Sequence, residues 1–200
     1  MDRARLRRDK VAAAAGSGVA IPPLWLAVVG AYLPLGSIPH VEKLAASEWP
    51  PAVEGLLAQQ VTQPATEKGL RDALPRLTPI ADDVSRSVQR QYEENPYPKW
   101  VRLPPVAALD LDEYLRQHFP LAPFRPLGKG GGIDMLVAGC GTGQESIDVA
   151  RQFPEGRVLA VDLSLASLGY AARKAHELGA KNVEHAQGDL VELGWLGGTV

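Results

Sequence analysis

Three glycines at alternating positions, Gly139, Gly141 and Gly143, with Cys140 and Thr142 between them, are the residues of this chain best suited to chemistry. They follow an apolar run, 135–138, and precede helix-forming residues that begin at Gln144. A strand, a tight turn and a helix in that order make a ligand site, because glycine takes positive φ and lets a ligand reach bare backbone. The helix start adds unpaired N–H groups and a positive dipole end. Two carboxylates stand in register with the turn. Asp162 ends the next apolar run, 19 residues after Gly143, where an acidic group bonds ribose hydroxyls. Asp189 and Leu190 follow the third run, placing a carboxylate and an apolar side chain where an adenine would lie. The spacing departs from G-x-G-x-x-G, since Gln144 directly follows Gly143, and so favours a nucleotide-like cofactor without a pyrophosphate.

The elements that must hold these groups can be read from the same stretch. Strands over 135–138, 157–161 and 183–187 alternate with helices over 144–153 and 165–178, the second capped by Ser164 and stopped by Gly179. That alternation predicts an α/β domain with a parallel sheet covered on both faces. The first 120 residues read instead as short helices punctuated by proline, over 24–33, 41–47, 52–61 and 66–74. The strongest covers 80–92, with Ile80, Val84, Val88 and Tyr92 four apart on one face. Asp110 caps a further helix over 111–119. Between them two prolines forbid a helix, so Tyr92, Tyr97 and Trp100 decorate an extended segment. It serves either as a lid over cofactor and acceptor or as an arm packed on the sheet. The expected domains are a helical region over 1–120, a Pro/Gly-rich linker over 121–132 and a sheet domain over 133–200.

Composition narrows the function classes. With 46% hydrophobic and 22% charged residues, the 200-residue chain can bury a core, and its net charge of −2 gives no electrostatic footprint for nucleic acid or an anionic membrane. One cysteine excludes an internal disulfide and fits a reducing cytoplasm. Arg3 to Lys10 followed by apolar 11–20 imitates an export signal, but Pro22-Pro23 break the run. The apolar segment 24–35 is too short for the roughly 20 residues that span a bilayer. His40, His118, His176 and His185 show no ligand spacing with one another or with Cys140, so no metal is expected, and Cys140 reads as a small filler of the turn.

V-A-G-C-G-T-G-Q-E, L-A-V-D-L-S and Q-G-D-L together resemble the class I S-adenosylmethionine-dependent methyltransferases. The resemblance covers residues 133 to about 193 and implies a Rossmann-like sheet with S-adenosyl-L-methionine as cofactor. On it, the turn Gly139, Cys140, Gly141, Thr142, Gly143 lies under the methionine part, and Asp162 holds the ribose. Leu163 packs on the adenine, whose amine Asp189 bonds with Leu190 alongside. The run S-R-S-V-Q-R-Q-Y-E-E-N-P-Y-P-K-W is similar to a bacterial group of methyltransferase-domain proteins, some with tetratricopeptide repeats upstream. This chain shows no such repeats. The resemblance implies an enzyme that methylates a small molecule or a protein; it names neither the acceptor, the catalytic residues nor an oligomeric state. A nicotinamide-dependent oxidoreductase and a catalytically silent interaction module are the alternative readings.

From Ile133 onward the chain has room for three strands, not for the family's full sheet. The expectation is therefore a fragment, whose first strand has a bare apolar edge, with poor solubility and little methyl transfer on its own.

Overall fold

The computed structural model of the chain describes residues 2–123, 125–126 and 132–198. It divides into two compact units, Met1–Thr66 and Glu67–Val200. In the first, α1 (Asp2–Ser17), α2 (Pro23–Gly30), α3 (Val41–Ala45) and α4 (Pro51–Leu57) bury Val11, Leu26, Val29, Leu35 and Leu57 in a core of their own. The stretch that imitates an export signal is α1, and its Val11, Ala14 and Ala15 belong to that core. Pro23 and Pro51 open their helices, where a missing N–H costs nothing. The helix expected over 24–33 ends at Gly30, whose carbonyl accepts from the Gln60 amide at 3.0 Å. The same amide accepts from the Leu35 N–H at 3.0 Å, so one polar side chain closes both backbone ends.

The helices expected over 52–61 and 66–74 run together. A π-helical turn, Ala58–Thr62, joins α4 directly to α5 (Gln63–Ala73). Pro64 lacks the N–H that would meet the carbonyl four residues back, and a π turn is a common accommodation of such a gap.

The second unit continues with α6 (Asp83–Glu94) and α7 (Leu111–His118). Then come β1 (Asp134–Ala138), α8 (Gln144–Gln152), β2 (Arg157–Asp162), α9 (Leu165–Leu178) and β3 (Val183–Gln187). The three strands are parallel in the order β1-β2-β3, with Ala138 opposite Val161 and Asp162 opposite Gln187. This is the Rossmann-like α/β arrangement that the alternation predicted. Its helix ends follow local chemistry: the Ser164 Oγ accepts from the Ser167 N–H at 3.1 Å, and Gly179 takes φ 68° to stop α9. Asp110 caps α7 in the same way, accepting from the Glu113 N–H at 2.9 Å.

The division falls between Thr66 and Glu67, upstream of the 121–132 linker where the sequence set it, and much of that linker, 127–131, lies outside the described residues. Glu67 and Arg71 on α5 press against α9, where a Cβ on Gly169 would lie 2.7 Å from the Glu67 carbonyl oxygen. Buried Arg173 pairs with Glu67 at 2.8 Å. Residues 75–77 then lie along the outer edge of β3, the Leu77 N–H donating to the Gln187 carbonyl at 2.8 Å and the Gln187 N–H to that of Pro75 at 2.9 Å. Among the described residues no strand pairs with the other edge of β1, where Leu136 is 53% exposed.

The apolar stripe of α6 behaves differently from its expectation. Asp82 caps the helix, and the inward face is the one that carries Ser85, while Val84 is 70% exposed and Val88 and Tyr92 are partly exposed. Four-residue spacing fixes which residues share a face; what packs against that face is decided elsewhere in the chain. No helix among the described residues is long and apolar enough to cross a membrane.

Candidate functional site

The turn after β1 is built by its glycines. Gly139, Gly141 and Gly143 take φ of 74°, 53° and 81°, values that favour glycine. Gly143 also has no room for a side chain, since a Cβ there would lie 2.5 Å from that of Ala171 on α9. Four N–H groups of the turn, those of Gly139, Cys140, Gly141 and Gly143, are committed inside the protein. Those of Gly139 and Cys140 donate to the Val161 carbonyl at 2.8 and 3.1 Å, and that of Gly143 to the Cys140 carbonyl at 2.9 Å. The Gly141 N–H donates to Asp162 Oδ2 at 2.8 Å, while Asp162 Oδ1 accepts from the Ser164 N–H at 2.9 Å. Asp162 thus ties the turn to the start of α9. Each of its oxygens keeps a lone pair for a further donor.

A second set of bonds fastens the aromatic segment over the turn. The Thr142 hydroxyl donates to the Pro98 carbonyl at 2.5 Å, and Trp100 Nε1 donates to the Thr142 carbonyl at 3.1 Å. Trp100 is buried edge-on against Tyr170, 6.0 Å between ring centres at 76°, and the Tyr170 hydroxyl donates to the Trp100 carbonyl. Lys174 donates to the Val101 carbonyl at 3.0 Å, and Glu93 accepts from the Ala166 N–H at 3.3 Å. Residues 93–101 therefore form a strap across the turn and the first turns of α9.

Between strap, turn and α8 opens a cleft of about 760 Å³. Of the residues singled out in the sequence, Gly139, Cys140, Gly141, Thr142 and Asp162 line it. Gly143 lies buried behind the turn against α9. Leu163 turns its carbonyl to the Gln187 amide at 2.9 Å. Leu190 reaches the turn, 3.8 Å from where a Gly139 Cβ would stand. Asp189, at the end of β3, is only 2% exposed; its Oδ1 accepts from the Val191 N–H at 3.1 Å, and its buried Oδ2 has no hydrogen-bond partner among the described residues. Leu163, Asp189 and Leu190 are not among the residues lining the cleft.

The cleft also takes in the tyrosines of the extended segment and residues that motif reading passed over. Tyr92, Tyr97 and Tyr114 supply rings, Glu145 and Asp148 come from α8, and Ser167 from α9. The tyrosines of the extended segment carried a visible signal, two prolines among aromatics. Ser167 carried none, because a serine in the first turn of a helix looks like any other.

Burial governs the titratable groups beside the turn. The Cys140 thiol is pushed far up by desolvation and then by the Asp162 charge, so it stays protonated and serves as a filler rather than a nucleophile. His185 lies beneath Gly143, its Nε2 3.5 Å from where a Cβ would stand, and burial followed by the His176 charge brings it down to about 4. It is a neutral packing residue at neutral pH.

A family model described as a methyltransferase domain matches residues 135–200. No curated protein matches the chain. Among solved structures, a SAM-dependent methyltransferase from Aquifex aeolicus is 19% identical, with 56% of this chain and 48% of that one covered at a TM-score of 0.29. The [4+2]-cyclase SpnF is 21% identical over 60% of this chain and 46% of its own, at 0.36. Coclaurine N-methyltransferase, bound to N-methylheliamine and SAH, is 15% identical over 94% of this chain and 51% of its own, at 0.31. The chain spans about half the length of the structures it matches.

Proposed function

We propose that the second unit is the cofactor-binding part of an S-adenosylmethionine-dependent methyltransferase. The observation that carries this reading is Asp189 Oδ2, a buried carboxylate oxygen at the end of β3 with no hydrogen-bond partner among the described residues. Such a group is costly unless a ligand completes it, and an adenine amine is a donor of the right kind. Leu190 beside the glycine turn offers the apolar contact that a purine ring would use.

The glycine turn supports the same reading over a dinucleotide. A pyrophosphate cradle presents its N–H groups to the ligand. Here the N–H groups of Gly139, Cys140, Gly141 and Gly143 already have partners in the protein. What the turn leaves open is close approach to backbone, which suits a methionine chain. Asp162, with a free lone pair on each oxygen, would hold ribose hydroxyls while it holds the turn.

When bound, the sulfonium supplies an activated methyl group, so the protein's own task is to place an acceptor in line with it. The strap and α8 enclose the space in which that alignment would occur. Since the chain spans about half of the structures it resembles, methyl transfer by the whole protein, in a cytoplasmic setting, belongs to the same proposal.

The test is a thermal-shift and calorimetric comparison of S-adenosylhomocysteine with NAD. S-adenosylhomocysteine is expected to raise the melting temperature, by about 2.7 kcal/mol of added stability at a hundredfold excess over Kd. NAD is expected to leave it unchanged. No stabilisation by S-adenosylhomocysteine would overturn the reading, and stabilisation by NAD in its place would favour a dinucleotide.

A further inference from the structure

The cleft offers carboxylates and aromatic rings but no cation: among the described residues that line it there is no lysine, arginine or histidine. Asp162 and the glycine turn belong to the cofactor. Beyond them the cleft is lined by Glu145 and Asp148, three apart on α8, and by Tyr92, Tyr97 and Tyr114, the last stacked on His118 at 4.1 Å between ring centres. Asp148 Oδ1 is buried without a hydrogen bond, its ion-pair neighbour Arg151 standing at 3.5 Å. A second vacancy in the hydrogen bonding lies on α9. Ser167 is 0% exposed, lines the same cleft, and its Oγ has no partner. A buried hydroxyl without a partner is costly, and a ligand donor or acceptor in the cleft would complete it.

Away from the glycine turn, this part of the cleft disfavours an anion and favours a positive charge, which the carboxylates neutralise and the ring faces attract. We propose that the methyl acceptor is an amine, taken up as its ammonium ion between Glu145, Asp148 and the three tyrosine rings. This assignment rests on the methyltransferase reading. For transfer the ammonium gives up one proton to solvent, and the freed nitrogen lone pair forms the new N–CH3 bond. The S–CH3 bond breaks with its electron pair left on sulfur, so the products are a methylammonium ion, a neutral thioether and the released proton. Two positive charges enter and two leave.

The experiment uses the chain saturated with S-adenosylhomocysteine and two probes of similar size, phenethylammonium and phenylacetate, each titrated by calorimetry. Phenethylammonium is expected to bind at least tenfold more tightly than phenylacetate, and the doubly substituted E145Q/D148N chain is expected to lose that preference. Equal affinities, including no binding of either probe, would overturn the proposal. So would a preference that survives E145Q/D148N. Failure of S-adenosylhomocysteine itself to bind would instead overturn the methyltransferase reading beneath it.

Discussion

Trp100 Nε1 donates to the backbone carbonyl of Thr142 at 3.1 Å, joining residues 42 positions apart in sequence. With the Thr142 hydroxyl bonded to the Pro98 carbonyl at 2.5 Å, one residue of the glycine turn is held twice by the strap above it. The position of the turn therefore depends on the strap as well as on the strand that precedes it.

Trp100→Phe keeps a ring against Tyr170 and removes the donor. The expected cost is about 1 kcal/mol of stability, the usual net value of such a hydrogen bond. Affinity for S-adenosylhomocysteine should fall several-fold with it, because the turn loses one of its ties. Denaturant unfolding and calorimetry on the same samples check both. Lost stability with unchanged affinity would make the strap a packed arm with no part in holding the ligand.

Asp162→Ala removes the acceptor of two backbone N–H groups along with the proposed ribose contact. Binding of S-adenosylhomocysteine should weaken by about 1.5–3 kcal/mol, the range for a hydrogen bond to a charged group, and the melting temperature should drop without ligand. Asp162→Asn retains one acceptor oxygen and should be milder on both counts. Calorimetric affinity equal to that of the unsubstituted chain would refute the ribose role.

Gly143→Ala meets two obstacles, a φ of 81° and a Cβ 2.5 Å from that of Ala171. A loss of about 1–3 kcal/mol is expected from the overpacking alone. Adding Ala171→Gly should recover only part of the loss, since it opens space but leaves the strained φ. A double-mutant cycle in unfolding free energy measures the split; full recovery would show that backbone strain contributes nothing.

His185, brought down to about 4 from 6.5, makes stability depend on acidity. Above pH 6.5 the ring is neutral in both folded and unfolded chain, and its contribution is complete. Between 6.5 and 4 the unfolded chain takes up a proton that the folded chain refuses, so stability falls as pH falls, by roughly 3 kcal/mol across the window. His185→Gln should flatten that part of the stability profile. Parallel slopes for the two chains, measured by denaturant unfolding from pH 7.5 to 4.5, would contradict the buried neutral ring.

Much of the second unit was legible in its residues because the forces that shape it are short-ranged. Ser164 and Gly179 set the ends of α9 through one hydroxyl and one positive φ, and the glycines of the turn follow from φ values that favour glycine. The apolar runs marked all three strands, and their alternation with helices marked the parallel sheet. The amphipathic spacing of α6 misled, because Val84 on the apolar face is 70% exposed and Val88 38%.

The sequence by itself determined which residues form strand, turn and helix around Gly139, Gly141 and Gly143, since backbone sterics and capping act within a few residues. Only the tertiary structure decided that the chain divides at Thr66 rather than near residue 120, and that the Gly141 N–H finds the Asp162 carboxylate. It also decided that the strap closes on Thr142, and that Asp189 is buried with one oxygen unanswered. Those outcomes depend on which distant surfaces exclude water together, and no spacing along the chain encodes that.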